Sequence, residues 1–286
     1  MKKQKKKNEF LYFALRNRKL KIGLTIVFLF LVLSFIGPML ARNAPFDYVN
    51  PGGAEPPSSE YWFGTTFFGQ DVFAQFVHGL RATFIVGILG GGIGTLIGVV
   101  VGFTAGYRGG MVDELLNMLT NIILVIPVLA VLLIIAAYLE VRSILSECII
   151  IGFTAWPWAA RAIRAQTFSL RTREFVDLAR MSGMKSNKII FTEIAPNMMS
   201  YLVMTFILQF GGAILNAATL DFIGLGPTSG ISLGLIMQNA VLWGALLLDI
   251  WWWFVPPGLA ITAIVGALYV MNVGLDEVFN PKLREM

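Results

Sequence analysis

The chain has 286 residues, of which 56% are hydrophobic and only 14% charged, with a formal net charge of +5 and a mean hydropathy of +0.72. A water-soluble domain of this length could not bury so much apolar surface, since soluble proteins average about 45–50% apolar and about 25% charged residues. The composition therefore predicts an integral membrane protein. Cys148 and His78 are the single cysteine and the single histidine, which excludes an internal disulfide and argues against a metal site.

The chain begins with a basic tail, residues 1–21, that contains nine Lys and Arg residues. The apolar run that follows, 22–40, is too long for the core of a secretory signal peptide, and no small-residue cleavage site comes after it. We therefore predict that 22–40 is a retained first membrane helix. The tail is expected to set topology and to bind anionic lipid headgroups rather than nucleic acid.

The next segment, 41–81, is predicted to lie outside the cytoplasm. Its first part is rich in Pro and Gly and indicates an extended conformation, whereas FGTTFFGQDVFAQFVHG at its end predicts a short interfacial helix. The second membrane helix follows and has a glycine every four residues, at 90, 94, 98, 102 and 106. Such a stripe lets another backbone approach closely, either for static helix packing or as the surface of a mobile gate.

All-α architecture with six membrane helices is the predicted fold, because six apolar runs are long enough for a hydrocarbon core of about 30 Å. The predicted spans are 22–40, 82–106, 115–139, 144–160, 199–222 and 250–272. An even number of spans places both termini on one side, and that side carries nineteen of the 22 Lys and Arg residues. The positive-inside rule makes it the cytoplasm. The core 82–272 then includes a cytoplasmic loop, 161–197, and a cytoplasmic tail, 273–286, follows it.

Two local patterns modify this outline near the end of the chain. The segment 222–249 is glycine-rich and weakly apolar, which is compatible with partial re-entry into the membrane. Pro256, Pro257 and Gly258 lie inside the last predicted span, where they predict a kink or an unwound turn.

The loop stretch EFVDLARMSGMKSNKIIFTEIAPN, residues 174–197, predicts a helix, a glycine break and a second helix. Thr172 is a suitable N-cap and Gly183 a suitable C-terminal stop, while the second helix is expected to run from Ser186 to a point before Pro196. One face of the first helix would carry Phe175, Leu178, Ala179 and Ser182. An apolar stripe on so short a helix must be covered, either by the chain's own helices or lipid, or by a groove of a partner protein.

Chemistry-bearing motifs are missing from the sequence. There is no G-x-x-x-x-G-K-[ST] phosphate loop and no nucleophile–base constellation, so no catalytic residue is predicted. Ionisable residues deep inside the spans are nearly absent, which argues against a carrier driven by protons or ions. A transporter of this kind must take its energy from another subunit, and the first helix of this cytoplasmic loop is the expected route.

Six stretches in order resemble the permease subunits of bacterial and archaeal ABC importers of the dipeptide/oligopeptide type. They are RNRKLKIG (16–23), FGTTFFGQDVF (63–73), AGYRGGMVDE (105–114), DLARMSG (177–183), ATLDFIGLG (218–226) and GLDEVFNPKLR (274–284). DLARMSG, with a proline thirteen residues after its glycine, is similar to the EAA loop of that superfamily. Asp and Leu replace its first Glu and first Ala, and Thr66 and Gln70 replace an acid and a base of the outer segment. Asn216 and Asp221 stand where the family favours Glu and Ser.

The resemblance implies the type I importer fold, in the cell membrane of a bacterium or archaeon. It implies a translocation pathway shared with a homologous second permease subunit, two ATP-binding subunits on the cytoplasmic side and an extracytoplasmic substrate-binding protein. ATP and Mg²⁺ would be bound by those ATPase partners, with no cofactor or metal in this chain. The expected ATPase-docking residues are Glu174, Phe175, Asp177, Leu178, Ala179, Arg180, Gly183 and Pro196. The possible substrate-pathway residues are Asn216 and Asp221.

The expected cargo is a di- or oligopeptide. Relatives of such permeases import oligosaccharides or nickel, so the same machinery with one of those substrates is the alternative. A non-transporting membrane scaffold or sensor and a secondary carrier are the rival classes. A gene without ATPase neighbours would favour the scaffold, and uptake that collapses with an uncoupler while ATP remains would favour the carrier.

Overall fold

A computed structural model describes residues 13, 14 and 16–279; most of the basic N-terminal tail and the last seven residues lie outside the described part. The helices are α1 (Arg18–Leu40), α2 (Val72–Arg108), α3 (Gly110–Val125), α4 (Val128–Tyr138), α5 (Ile144–Leu170), α6 (Glu174–Met181), α7 (Ser186–Ile189), α8 (Ala195–Asn197), α9 (Met199–Phe222), α10 (Leu233–Leu242) and α11 (Trp251–Phe279). A π-helical segment, Ile190–Ile194, joins α7 to α8. Within the described residues, extended pairing is confined to two isolated bridges, so the all-helical prediction is confirmed.

Four helices are long and apolar enough to cross a membrane, namely α1, α2, α9 and α11. A fifth candidate consists of α3 and α4, which are bent by 78° at the break between them. The predicted span 115–139 is therefore not one straight helix. Pro127 accounts for the break, since it lacks a backbone N–H and forces the preceding Ile126 into an extended conformation (φ −78°, ψ 127°).

α2 begins ten residues before the predicted span and includes the part expected to form an interfacial helix. Asp71 caps its first turn, because its Oδ1 accepts hydrogen bonds from the N–H groups of Phe73 (2.9 Å) and Ala74 (3.3 Å). The separate interfacial helix within 41–81 was therefore a wrong prediction. At 1.5 Å per residue, the 37 residues of α2 extend over about 55 Å, well beyond the hydrocarbon core.

The segment before α2 folds as turns against the end of the bundle at which α2 begins. Thr65 and Thr66 are fully buried, and the Thr65 hydroxyl donates to the Gly53 carbonyl (2.8 Å) and accepts from the Glu55 N–H (2.7 Å). The indole N–H of Trp252 in α11 donates to the Thr65 carbonyl at 3.0 Å. These bonds fix the segment to the first turn of the last helix.

The glycine ladder of α2 is the surface on which α5 packs. A Cβ atom on Gly98 would lie 2.6 Å from the Ala159 Cβ, and one on Gly106 would lie 2.7 Å from the Arg164 carbonyl oxygen. The α5 residues met along the ladder advance in the same direction as α2, so the two helices are parallel. The close-packing interpretation of the glycines is confirmed.

α11 is continuous through Pro256 and Pro257, so the expected unwinding does not occur. The two prolines lie in the second turn of α11, where each removes one intrahelical hydrogen bond, to the carbonyls of Trp252 and Trp253. Trp253 is 1% exposed and belongs to the largest core cluster, which α11 shares with α1, α2, α9 and α10. α10 lies within the segment 222–249 that was predicted to re-enter the membrane, and it packs against the N-terminal part of α2 near Gly79.

Candidate functional site

α6 lies in the loop between α5 and α9 and ends in a tight glycine turn. Gly183 has a φ of 74°, a left-handed conformation that glycine adopts without steric cost. Its N–H donates to the Arg180 carbonyl (3.0 Å), and the Met184 N–H donates to the Ala179 carbonyl (3.2 Å). These two bonds form a Schellman C-cap, so the predicted glycine stop is confirmed.

The predicted start of this helix was wrong. α6 begins at Glu174 without a side-chain cap, and the Thr172 hydroxyl donates instead to the Ser169 carbonyl at 3.3 Å. The end of α5 therefore satisfies the hydroxyl that was expected to cap α6. Glu174 and Asp177 do lie in the first turn, where a carboxylate interacts favourably with the helix dipole.

One side of α6 packs against its own chain. Val176 is fully buried and Ala179 nearly so. They belong to a cluster formed by α2, α5, α6, the π-helical segment and their neighbours, which includes Phe103, Tyr107, Ile163, Ile189, Ile190 and Ile194. The cluster therefore places α6 in one apolar core with residues of α2 and α5.

The opposite side of α6 exposes apolar side chains. Leu178 is 60% and Met181 77% exposed. The predicted stripe is therefore divided, because consecutive helix residues lie about 100° apart: Leu178 faces outward and Ala179 inward, with Phe175 partly buried. The fully buried Val176 was not part of that stripe.

Charged groups surround the exposed apolar side of α6. Asp177 Oδ1 lies 2.9 Å from Arg180 Nη1, and both side chains remain about half exposed. The Arg180 guanidinium also lies 5.4 Å from the centre of the Tyr107 ring, a cation–π distance. Glu174 is exposed beside them. The structure thus brings the predicted polar residues of the loop onto one accessible surface.

The second half of the loop differs from its prediction. Lys185 is the N-cap residue of α7, and the helical path continues past Pro196 instead of stopping before it. The Ala195 N–H donates to the Ile190 carbonyl, a π-helical bond that inserts one extra residue just before the proline. Phe191 in this segment is 69% exposed.

An ion pair connects the C-terminal part of α5, which leads into the loop, to α3. Arg164 donates from Nε to Asp113 Oδ1 (2.5 Å) and from Nη2 to Asp113 Oδ2 (2.7 Å), a two-pronged arrangement. Arg171 donates to the Gly106 carbonyl at 3.3 Å. The helix that leads into the loop is therefore fixed to both α2 and α3.

The two possible pathway residues do not lie together. Asn216 is partly exposed on α9, and no described residue hydrogen-bonds its amide. Asp221 is 2% exposed and accepts a hydrogen bond from the Ser232 hydroxyl at 2.5 Å. Only Asn216 faces the accessible side of the bundle.

An open face between α9, α10 and α11 contains a cavity of about 420 Å³. Its lining is mainly apolar, with Thr219 and Thr262 as the polar members. Cβ atoms on Gly212 and Gly266 would meet no heavy atom within 4 Å, so this side of α9 and α11 is uncovered along much of its length.

Sequence reasoning missed the two polar contacts that join distant helices. Asp113 and Arg164 are 51 positions apart, and Asp221 and Glu147, which line one small cavity, are also far apart in the chain. The available signal was the presence of charges at the ends of apolar runs, which in membrane proteins usually have partners. Within residues 13–14 and 16–279, no three His, Cys, Asp or Glu side chains converge as a metal site would require.

Comparison with known proteins gives a consistent result. Residues 98–285 match the family described as "Binding-protein-dependent transport system inner membrane component". The chain is 31% identical to the dipeptide transport system permease protein DppC of Alkalihalophilus pseudofirmus, over 94% of this chain and 88% of that protein. It is 30% identical to the oligopeptide transport system permease protein OppC of Bacillus subtilis, covering 94% and 87% respectively. A putative peptide transport system permease protein of Brucella abortus is also 30% identical, covering 94% and 90%.

Proposed function

The chain belongs to the family of binding-protein-dependent transport system inner membrane components, and from this premise we propose that it forms half of the translocation pathway of an ATP-driven peptide importer. It is a multi-pass protein of the cell membrane. In the proposed complex it pairs with a homologous permease subunit. Two ATP-binding subunits supply the ATP hydrolysis, and an extracytoplasmic binding protein delivers the substrate.

The proposed topology has six membrane crossings, with both termini in the cytoplasm. α5 is the crossing that composition alone does not identify, because it carries Glu147, Arg161 and Arg164. It lies parallel to α2 along the glycine ladder from Gly90 to Gly106, so it should cross wherever α2 crosses. The nineteen basic residues on the side of the termini support the orientation.

α6 is the proposed coupling helix, and its two-sided character is the observation that carries the proposal. On its inner side, Val176 and Ala179 belong to the apolar cluster that also contains residues of α2 and α5, while its outer side offers Leu178 and Met181. A groove of an ATPase subunit would cover the two exposed side chains, with Glu174, Asp177 and Arg180 as polar contacts at its edge. Closure of the ATPase pair would then move α6, and α2 and α5 with it.

The open face of α9 and α11 is the proposed contribution to the pathway. Asn216, Thr219 and Thr262 present polar groups there, and an unpaired amide that faces lipid is costly. A second permease subunit facing these residues would remove them from lipid and enclose the cavity between the two chains. Peptide is the proposed cargo because the named relatives are peptide permeases.

Site-directed cross-linking tests the coupling proposal. In a Cys148→Ala background, Asp177→Cys should be captured by a cross-linker on an ATP-hydrolysing subunit in native membranes. Glu140→Cys is the matched control, because Glu140 is also exposed but lies in the turn before α5, at the opposite end of the bundle. It should capture no ATPase and should react with an impermeant maleimide from outside the cell.

The same membranes test transport. Import of labelled di- and tripeptides should require both ATP and the binding protein. Failure of Asp177→Cys to capture an ATPase, or its reaction only from outside, would contradict the coupling role. Import that persists without ATP would contradict the importer class.

A further inference from the structure

A buried pair of acidic side chains lies at the end of the bundle opposite to α6. Glu147, in the first turn of α5, is 8% exposed, and Asp221, in the last turn of α9, is 2% exposed. Both side chains line the same small cavity between α2, α5, α9 and α10. The hydroxyl of Ser232, the N-cap residue of α10, donates to Asp221 Oδ2 at 2.5 Å. The three polar side chains thus meet where α5, α9 and the start of α10 come together.

No cation balances this pair among the described residues. The charged or titratable neighbours are Arg142, in the turn before α5, and the buried Cys148. From α2, α9 and α10, only uncharged side chains face the two acids. Arg142 lines a small cavity beside Glu147, yet it forms no ion pair within 4.0 Å, and its buried Nε has no hydrogen-bond partner.

The unfilled hydrogen-bonding capacity of the acids points to a proton. Glu147 Oε1 and Asp221 Oδ1 are both buried, and neither accepts a hydrogen bond from a described donor. Two ionised carboxylates cannot hydrogen-bond to each other, since both are acceptors only, and two negative charges beside one buried cavity repel each other. A single proton between them neutralises one acid and provides the missing donor.

We propose that Glu147 and Asp221 share one proton, and that this proton closes a latch joining α5, α9 and α10 at the end of the bundle opposite to α6. While the proton is held, the carboxyl–carboxylate bond and the Ser232 contact keep the three elements together. Its loss leaves two facing anions, which separate α5 from α9 and admit water. Acid therefore favours the closed latch and alkali the open one. The inference does not depend on the proposed transport function.

Cys148 is a native probe of this latch. It is the only cysteine in the chain, it is fully buried, and it adjoins Glu147 in α5. The full-length chain in lipid nanodiscs would be treated with a maleimide over a pH series. Each rate would be divided by the rate of the unfolded chain at the same pH, which removes the effect of thiol ionisation. The resulting protection should fall by up to about tenfold per pH unit once the shared proton is lost.

Isosteric variants separate the latch from general alkaline loosening. Glu147→Gln and Asp221→Asn each keep the side-chain shape and a hydrogen-bond donor but remove the shared titratable proton. Protection of Cys148 should then stay high and level across the pH series. Glu140→Gln is the matched control, because it is also an acid-to-amide change but at an exposed position in the turn before α5. It should keep the wild-type profile.

A level wild-type profile, or the same pH-dependent profile in Glu147→Gln, would overturn the proposal. Protection that follows sodium concentration but not pH would also overturn it, because the pair would then hold a cation. If the variants do not fold, infrared difference spectra of the wild type provide a second test. A protonated-carboxyl band that disappears over the pH range in which protection falls supports the latch, and its absence at every pH refutes it.

Discussion

α2 and the α3–α4 pair are consecutive in the chain, yet the rest of the bundle holds them very differently. α2 buries side chains along its whole length and approaches α5 closely through its glycines. In contrast, α3 buries only Asp113 and Thr120, and α4 only Leu132 and Ala136. The difference indicates a tight unit, α2 and α5 with α6 attached, and a loosely held arm, α3–α4, whose exposed apolar surface requires lipid or a partner chain.

The strongest way to break the tight unit is to fill its glycine contact. Gly98→Leu places a Cβ 2.6 Å from the Ala159 Cβ, so α2 and α5 must separate, at a cost of about 1–3 kcal/mol or more. We expect little folded protein and a lower unfolding temperature in detergent. Gly212→Leu is the control, because no heavy atom lies within 4 Å of its Cβ position. Equal stability of the two variants would contradict the tight packing.

Gly183→Asp should disconnect the tight unit from its proposed drive without unfolding it. A Cβ there meets no atom of this chain within 4 Å, so the folded-state cost is the left-handed backbone at φ 74°, about 1–2 kcal/mol. We expect normal membrane insertion but loss of uptake and weaker co-purification with the ATPases.

Gly244→Asp is the matched control for that experiment. Gly244 has a φ of 72° and equally open surroundings, but lies between α10 and α11 at the other end of the bundle. It should incur the same backbone strain and retain the ATPases. Normal transport by Gly183→Asp, with its ATPases at wild-type yield, would count against the coupling surface.

The Asp113–Arg164 ion pair links the arm to the tight unit, and its loss should have a smaller but measurable effect on the unfolding free energy. Arg164→Ala removes the cation that faces Asp113, whose side chain is only 12% exposed, and should destabilise the protein by about 1–3 kcal/mol. Adding Asp113→Asn to Arg164→Ala should recover part of this loss, and a double-mutant cycle with the two single variants gives the coupling free energy. A coupling energy near zero would mean that the arm is held by packing alone.

A substitution at the bend within the arm should have the smallest effect on stability. Pro127→Ala restores a backbone donor at the break and should alter the unfolding free energy by less than about 1 kcal/mol. If the proline sets the bend of 78°, the helices should straighten. Spin labels at the exposed Met111 and Tyr138 would then move apart in pulsed EPR. An unchanged distance would assign the bend to contacts with α5.

The sequence predicted what depends on local periodicity and composition. The apolar run 199–222 coincides with α9, and the four-residue glycine spacing identified the surface that α5 covers, because both patterns follow from helix geometry. Gly183 was identifiable as a helix stop, since the left-handed turn it adopts strongly favours glycine.

Other features depend on contacts that no local pattern contains. On α6, Val176 rather than Phe175 is fully buried in the protein, because the cluster with α2 and α5 determines which side of the helix is covered. Pro196 was expected to end a helix, yet a π-helical turn absorbs it. The pairing of Asp113 with Arg164 joins residues on separate helices and required the fold itself.

The length of α2 has a mechanical consequence. Its 37 residues form a rod of about 55 Å that is joined near one end to α6 and at the other to the folded segment before Val72. A tilt of about 10° around the α6 end would sweep the far tip through about 10 Å. In the proposed complex, a small displacement of α6 by an ATPase would thus become a larger movement at the far end of α2, wide enough to part neighbouring chains there.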